Sequence, residues 1–89
     1  MLTENEKITI RNITRKYNVS RILLFGSVLD DTLDNNDIDI AVEGVEDKDF
    51  YTLYGELIVA LKKPVDLIDL SIRSKFIDLI IKEGMPLET

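Results

Sequence analysis

The chain has 89 residues, which is close to the lower size limit for a domain with its own hydrophobic core. It contains neither cysteine nor histidine, which excludes disulfide bonds, most zinc sites and nucleophiles activated by an imidazole. Lys and Arg number 11 and Asp and Glu number 17, and this net charge of −6 disfavours stable binding to nucleic acid. Any chemistry must therefore use carboxylates, hydroxyls, Lys, Arg, Tyr or a hard metal ion.

The sequence also lacks the patterns of secreted and membrane-spanning proteins. No basic N-terminal region precedes an apolar stretch, and no apolar run approaches the roughly 20 residues of a membrane span. We therefore expect a cytoplasmic protein that binds no membrane. There is no repeat, linker or low-complexity segment, so residues 1–89 are expected to form a single domain.

The first third of the chain predicts a helix, a strand and a loop. Thr3 and Glu6 have the spacing of a capping box, and apolar residues then recur at helical spacing, which predicts a helix from about Glu4 to Tyr17. The apolar run from Arg21 to Phe25 (RILLF), closed by Gly26, predicts a buried strand. Residues 28–36 are polar and acidic and predict a loop.

The remaining elements follow from the same periodicities. Residues 37–43 (DIDIAVE) alternate as a strand does, and apolar residues recur at helical spacing from Phe50 to Leu61. Residues 65–70 (VDLIDL) predict a third strand, and Ser71 or Ser74 can cap a last helix. The order α-β-β-α-β-α predicts a small α/β or α+β domain with a three-stranded sheet, to which a short tail strand can be added.

Acidic residues of two predicted strands are candidates for one site. Asp37 and Asp39 are two residues apart on a strand, so both carboxylates project from one face. Most strands with this D-x-D pattern simply have their acids in solvent. What favours a site here is that the pair lies at the start of the second strand, directly after the loop that follows Gly26 and Ser27. If the first two strands pair antiparallel, Gly26 and Ser27 lie at the same edge of the sheet. If the third strand runs parallel to the second, Asp66 reaches that edge as well.

The residue types at this edge favour a hard metal ion. Three carboxylates and no histidine suit Mg²⁺, which usually takes one or two carboxylates together with substrate phosphates. A Gly-Ser turn can hold phosphate oxygens, because glycine allows close approach of backbone N–H groups. Asp69 is three residues from Asp66, so its side chain is on the opposite face of the strand, and we exclude it from the site. A calcium loop within residues 30–39 is also excluded, because no register combines Gly at its sixth position with Glu at its twelfth.

These motifs in this order resemble a known family. The Gly-Ser pair, nine loop residues (VLDDTLDNN), the DID motif, the VDLIDL strand and the closing IKEGMPL segment are similar to the minimal nucleotidyltransferases of the DNA polymerase β-like superfamily. The resemblance covers nearly the whole chain and implies a polymerase β-type α+β fold, with helices packed on one face of a small mixed sheet.

The resemblance also implies roles for the candidate residues. Gly26 and Ser27 would hold the triphosphate of ATP, and Asp37 and Asp39 would coordinate two Mg²⁺ ions. Asp66 would complete the metal site or help to deprotonate the attacking hydroxyl.

The family implies a partner as well. Such small chains are commonly paired with HEPN-type ribonuclease toxins, and the better-understood members are antitoxins that transfer AMP from ATP to a toxin tyrosine. A type VII-like antitoxin is therefore the first hypothesis. Val28 to Asp31 (VLDD) stands where the family usually has a small residue and an arginine, so a weak or inactive module that neutralises its partner by contact is the alternative. A generic acidic interaction domain is the third.

The predicted last helix, residues 74–83, is more apolar than a helix that only covers a sheet. Its apolar residues span about 200° at about 100° per residue, whereas covering a sheet needs a stripe of roughly 100° or a little more. We expect the excess to be covered either by the first helix, by a toxin partner or by a second copy of the chain. The apolar residues are Phe76, Ile77, Leu79, Ile80 and Ile81.

Overall fold

A computed structural model of the protein describes residues 2–26 and 37–87. Ser27 and the acidic segment 28–36, which carry part of the predicted site, lie outside the described residues. The predicted order of elements is confirmed, with a fourth short strand added in the tail. The elements are α1 (Glu4–Arg15), β1 (Arg21–Phe25), β2 (Ile38–Glu43), α2 (Asp47–Leu61), β3 (Val65–Asp69), α3 (Lys75–Glu83) and β4 (Met85–Pro86).

The helix ends have the chemistry that the sequence indicates. The predicted capping box is present, since the Thr3 side chain accepts from the Glu6 N–H and the Glu6 carboxylate accepts from the Thr3 N–H. Helix α1 ends at Arg15, two residues before the predicted end, because residues 16–18 form a turn that Asn18 closes with a φ of 57°. Of the two candidate serines, Ser74 caps α3 by accepting from the Ile77 N–H.

Both strand pairings on which the predicted site depends are present in the structure. The four strands form one mixed sheet in the order β3-β2-β1-β4. Strands β1 and β2 are antiparallel and place Phe25 opposite Asp39, whereas β2 and β3 are parallel and place Asp39 beside Asp66. The tail strand β4 pairs antiparallel with β1 at Leu23 and Leu24. The beginning of the central strand β2 therefore lies between the end of β1 and the beginning of β3.

The helices cover both faces of the sheet, so the prediction that they pack on one face is wrong. Helices α1 and α2 share a core with the sheet residues Ile22, Leu24 and Ile40. Helix α3 packs against the opposite face, where Leu23 and Ala41 are buried. The physical reason is that β1 is apolar on both faces, with Ile22 and Leu24 on one and Leu23 and Phe25 on the other, so both faces must be covered. Leu70, buried in the α3 cluster, marks where the chain crosses to that face.

This arrangement shows whether the first helix covers the excess apolar surface of α3. Helix α1 lies in the other core and contributes no residue to the described cluster around α3, so α1 does not cover the excess. Phe76 remains 54% exposed and Leu79 49% exposed. In the described part of the chain, these two side chains form an apolar surface on α3 beside the end of β1.

Three polar contacts join α1 and α2, or the residues that directly follow them. The Tyr17 hydroxyl donates to Glu56 at 2.9 Å, and Lys16 pairs with the same carboxylate at 2.7 Å, so the Lys16 and Tyr17 contacts hold the pKa of Glu56 below its usual value. Lys63, which follows α2, pairs with Glu6 at 2.7 Å. Burial alone would raise the pKa of Glu6, but the hydrogen bonds from Lys63 and Thr3 outweigh it, and the pKa is lowered.

We predict that Glu6→Ala lowers the free energy of unfolding by about 1 kcal/mol at pH 7, because it removes the capping interaction and the partner of Lys63. Glu6→Gln should cost less, since its amide oxygen still accepts from the Thr3 N–H. The lowered pKa of Glu6 stabilises the fold above the unfolded-state pKa of about 4.3, so the difference between wild type and Glu6→Gln should shrink as the pH falls below it. Urea denaturation at several pH values measures this, and a difference that grows on acidification would contradict it.

Candidate functional site

Two aspartates lie side by side at one end of the sheet. The parallel register of β2 and β3 places Asp39 next to Asp66, and adjacent strands are about 4.8 Å apart. Asp39 is partly buried between its two neighbouring strands, whereas Asp66 is exposed on the edge strand. Asp37 is the residue before β2 and is exposed. The register thus brings Asp39 and Asp66 together, and Asp37 lies two residues before Asp39 in the chain.

The alternation of side chains determines which face carries these acids. Asp37 and Asp39 share the parity of Ala41, which is buried against α3, and Asp66 shares the parity of Ile68, which packs against the same cluster. The acids therefore lie on the α3 face, beyond the end of the apolar cluster. Asp69 has the other parity, as predicted, and its carboxylate accepts from the N–H and hydroxyl of Ser71 at 2.9 and 2.6 Å.

Gly26 approaches the central aspartate from the other side. It directly follows Phe25, which is opposite Asp39, and it has a φ of +67°. A Cβ atom added at Gly26 would overlap the Asp39 Oδ2 atom and lie 3.1 Å from its Cγ. Glycine is required here both by its backbone conformation and by the closeness of the carboxylate. Gly26 and Asp39 are therefore in direct contact, and Ser27 follows outside the described residues.

The donor set at this edge fits Mg²⁺ that is shared with a phosphate. In residues 2–26 and 37–87, no group of three or more acidic side chains is arranged to hold a metal ion by itself. Mg²⁺ does not need such a cage, because it usually keeps water ligands and takes one or two carboxylates plus substrate phosphates. Asp39 and Asp66, with Asp37 nearby, supply hard oxygen ligands of that kind. The phosphate oxygens must come from a ligand that Gly26 allows to approach.

Sequence reasoning missed the aromatic side chains beside this edge. Phe25 and Phe76 contact each other edge to face, with ring centroids 6.2 Å apart and planes at 81°. They border a cavity of about 410 Å³ between the end of β1 and α3. The broad apolar arc of α3 was the available signal, but it did not predict which face of the sheet this helix covers. The cavity is lined by Phe25, Gly26, Phe76, Leu79, Ile80, Glu83 and Gly84.

A larger cavity of about 560 Å³ lies away from the acidic edge. It lies along the outer edge of β3 between the first turn of α2 and the start of α3, and it includes Asp47 and Asp69. Asp47 follows the end of β2 and Asp69 is the last residue of β3, whereas Asp39 and Asp66 lie at the beginnings of those parallel strands. This cavity has the larger volume, but none of the four described residues of the predicted site, Gly26, Asp37, Asp39 and Asp66, lines it. We assign the site to the acidic edge.

Comparison with known proteins identifies the fold. The family model of the polymerase beta nucleotidyltransferases matches residues 8–88. The chain belongs to this nucleotidyltransferase family. The predicted resemblance is thereby confirmed, and no match was found among curated protein sequences.

Solved structures similar to this nucleotidyltransferase are toxin-antitoxin complexes. One, a toxin-antitoxin with AMP-PNP, is 32% identical over 98% of this chain and 73% of the matched chain, with a TM-score of 0.76. A second, the toxin-antitoxin MntA-HepT, is 27% identical over 97% and 72%, with a TM-score of 0.75. A third holds a tri-AMPylated Shewanella oneidensis HEPN toxin with an MNT antitoxin, at 26% identity over 98% and 72% and a TM-score of 0.75.

No helix in the described part of this nucleotidyltransferase combines the length and apolar character that crossing a bilayer would require.

We predict that Gly26→Ala destabilises the nucleotidyltransferase by about 1–2 kcal/mol, because alanine is disfavoured at positive φ and its methyl group would displace the Asp39 carboxylate. Gly55→Ala is the matched control. Gly55 lies inside α2 with open space around it, so alanine there should stabilise by about 0.5–1 kcal/mol. Chemical denaturation compares the two, and a Gly26→Ala variant as stable as the wild type would contradict the close contact.

Proposed function

We propose that the protein is a Mg²⁺-dependent nucleotidyltransferase that transfers AMP from ATP to a tyrosine hydroxyl of a HEPN-type toxin, and thereby acts as a cytoplasmic antitoxin. The observation that carries the proposal is the position of Asp39, in contact with Gly26 on one side and beside Asp66 on the other. Family membership supports nucleotidyl transfer, and the similar complexes that contain AMP-PNP or an AMPylated toxin support the nucleotide and the partner.

In this proposal the two sides of Asp39 have different tasks. On the β1 side, the backbone at Gly26 and Ser27 holds the triphosphate, because a residue without a side chain lets the phosphates approach the N–H groups. On the β3 side, Asp66 is exposed and can meet an acceptor that arrives from solvent. Asp37, Asp39 and Asp66 are the carboxylates that would hold two Mg²⁺ ions. When bound, these ions supply stabilising charge to the entering and leaving oxygens of an in-line displacement.

The proposed reaction exchanges one bond at the α-phosphorus of ATP for another. The tyrosine oxygen forms a bond to that phosphorus while the bond to the oxygen that bridges to the β-phosphorus breaks. Pyrophosphate leaves on the Gly26 side with the electron pair of the broken bond. The hydroxyl proton passes to a carboxylate oxygen of Asp66, which is the acid nearest the acceptor side. A protein of this composition has no imidazole for that task, so a carboxylate is the available base.

The alternative is that the protein neutralises its partner by contact alone. Phe76 and Leu79 are exposed and lie three residues apart on α3, and two such apolar side chains favour a surface that contacts a protein partner. Contact and catalysis predict different outcomes for variants that keep the fold but lose the acids. The acidic site therefore decides between them.

We predict that Asp37→Asn combined with Asp39→Asn reduces transfer of labelled AMP from ATP to the partner toxin by at least about 100-fold, because the reaction loses the groups that stabilise its developing charge. Asp66→Asn should have a comparable effect. Incubation with labelled ATP, Mg²⁺ and the toxin, followed by gel electrophoresis and mass spectrometry of the labelled residue, measures both.

Asp69→Asn is the matched control for this experiment. It removes an acid from the same strand as Asp66, but it keeps an oxygen that can accept from Ser71. Its transfer activity should stay close to that of the wild type. If the double variant labels the toxin as well as the wild type does, catalysis by this site is wrong. If it labels nothing and still neutralises the toxin fully, contact alone accounts for the antitoxin effect.

A further inference from the structure

The outer edge of β3 has no neighbouring strand in the described part of the fold, where the strand order is β3-β2-β1-β4. The hydrogen bonds at both ends of its pairing with β2 show which backbone groups face that edge. The Pro64 carbonyl accepts from the Ile38 N–H at 2.9 Å. The Leu70 N–H donates to the Val42 carbonyl at 2.8 Å. Even-numbered residues of β3 therefore direct their N–H and C=O groups to β2, and odd-numbered residues direct theirs outward.

Leu67 is the point at which this edge is open. The outward carbonyl of Val65 already accepts from the Tyr54 hydroxyl at 2.6 Å. The outward carbonyl of Asp69 accepts from the Ile72 N–H at 3.4 Å. Leu67 lies between them, and no other described residue bonds to its outward N–H or carbonyl. An edge residue with both groups unpaired can pair with an added strand.

Apolar side chains line this open edge on both faces of the sheet. The cavity of about 560 Å³ lies along it, with Phe50 and Tyr51 of α2 on one side and Ile72 and Phe76 on the α3 side. Tyr51 is 79% exposed and Ile72 is 68% exposed, so both are available for contact. Because side chains alternate between the faces of a strand, an added strand would place apolar residues against both walls.

We infer that this edge binds, as an added strand, the extended segment of the toxin that carries the acceptor tyrosine, an inference that rests on the proposed function. The position of Asp66 supports this occupant. Asp66 directly precedes Leu67 and is exposed on the same strand. A residue of the added strand that lies beside Asp66 has its side chain on the same face as that carboxylate. An acceptor tyrosine at that position is thereby brought to the acidic site.

Charge defines the chemistry of the segment. Of the described residues that line the cavity, the charged ones are Asp47 and Asp69. The Asp69 carboxylate already accepts from Ser71, so Asp47 is the acid that is available to the segment. It favours a Lys or Arg among the apolar residues of the segment, as does the net charge of −6. A second copy of the chain would instead bring its own Asp66 and Asp69 to this edge, where like charges repel.

Hydrogen exchange of single backbone amides, followed by NMR, tests the added strand. In the free protein the Leu67 amide should exchange quickly, whereas the amides of Asp66 and Ile68, which point to β2, should be protected. An excess of unlabelled toxin without ATP should slow exchange at Leu67 by at least about 10-fold, because its N–H then forms a strand hydrogen bond. Protection of Leu67 that rises with the concentration of the protein alone would show a second copy at this edge and overturn the inference.

Side-chain variants test the two walls of the cavity. Tyr51→Ala and Ile72→Ala should each raise the KM for the toxin about 10-fold and leave the affinity for ATP unchanged, because these side chains contact the segment and not the nucleotide. Val59→Ala is the matched control, since Val59 is 76% exposed on α2 but does not line this cavity. Its KM for the toxin should equal that of the wild type.

The outcomes separate this inference from the proposed function. If the toxin is labelled with AMP but its binding leaves the Leu67 amide unprotected, the inference is wrong and the proposed function stands. Wall variants that both keep the wild-type KM would overturn the inference in the same way. If the toxin protects Leu67 but is never labelled, strand pairing is supported and the proposed function is wrong. If the wild type neither binds nor labels the toxin, both are wrong.

Discussion

The register of the central strand β2 is the constraint on which the rest of the structure depends. Ile38, Ile40 and Val42 are almost completely buried against α1 and α2, and together they allow only one alignment of β2 with its neighbours. Because side chains alternate along a strand, that alignment directs Asp37 and Asp39 to the opposite face. A slip of one residue would turn both acids toward the α1 and α2 core and direct the three large apolar side chains to the α3 face, where the small Ala41 now packs. The hydrophobic core thus positions the acids.

The same register explains why three distant parts of the sequence form one site. Antiparallel pairing brings the end of β1 to the beginning of β2, and parallel pairing brings the beginning of β3 to the same place. Gly26 has no side chain and is therefore able to lie against Asp39 from one side. Asp66 is beside Asp39 on the other side. A phosphate-binding turn and an acceptor-side carboxylate are consequently separated by the width of two strand spacings, about 10 Å.

Helix α3 connects stability with the proposed chemistry. Ile77 and Ile80 cover the second face of the sheet, which α1 and α2 leave open. The same helix presents Phe76 and Glu83 to the cavity beside Gly26. A helix whose apolar arc is wider than a sheet requires therefore covers the core and still leaves Phe76 and Leu79 at the surface.

Much of this organisation could be predicted because it depends on local patterns. The alternation of DIDIAVE predicted both the strand and the shared face of Asp37 and Asp39, and parity separated Asp66 from Asp69. The capping residues Thr3 and Ser74 were recognisable from residue type and spacing. The strand pairings were conditions of the predicted site, and the structure satisfies both of them.

The errors and omissions concern long-range placement. The continuous apolar run RILLF already indicated a strand buried on both faces, yet the helices were expected on one face only. Periodicity shows which residues of α3 are apolar, but it does not show which face of the sheet they cover. The cavity forms where Phe25 of β1 meets Phe76 of α3, and no spacing in the sequence predicts that contact.

A crystal structure with Mn²⁺ and a non-hydrolysable ATP analogue tests the central claim most directly, because manganese is located by its anomalous scattering. The account predicts an anomalous peak within coordination distance of the Asp39 carboxylate, with the phosphates of the analogue against Gly26. A peak or a bound nucleotide only in the larger cavity at the β3 edge, without contact to Asp39, would contradict it.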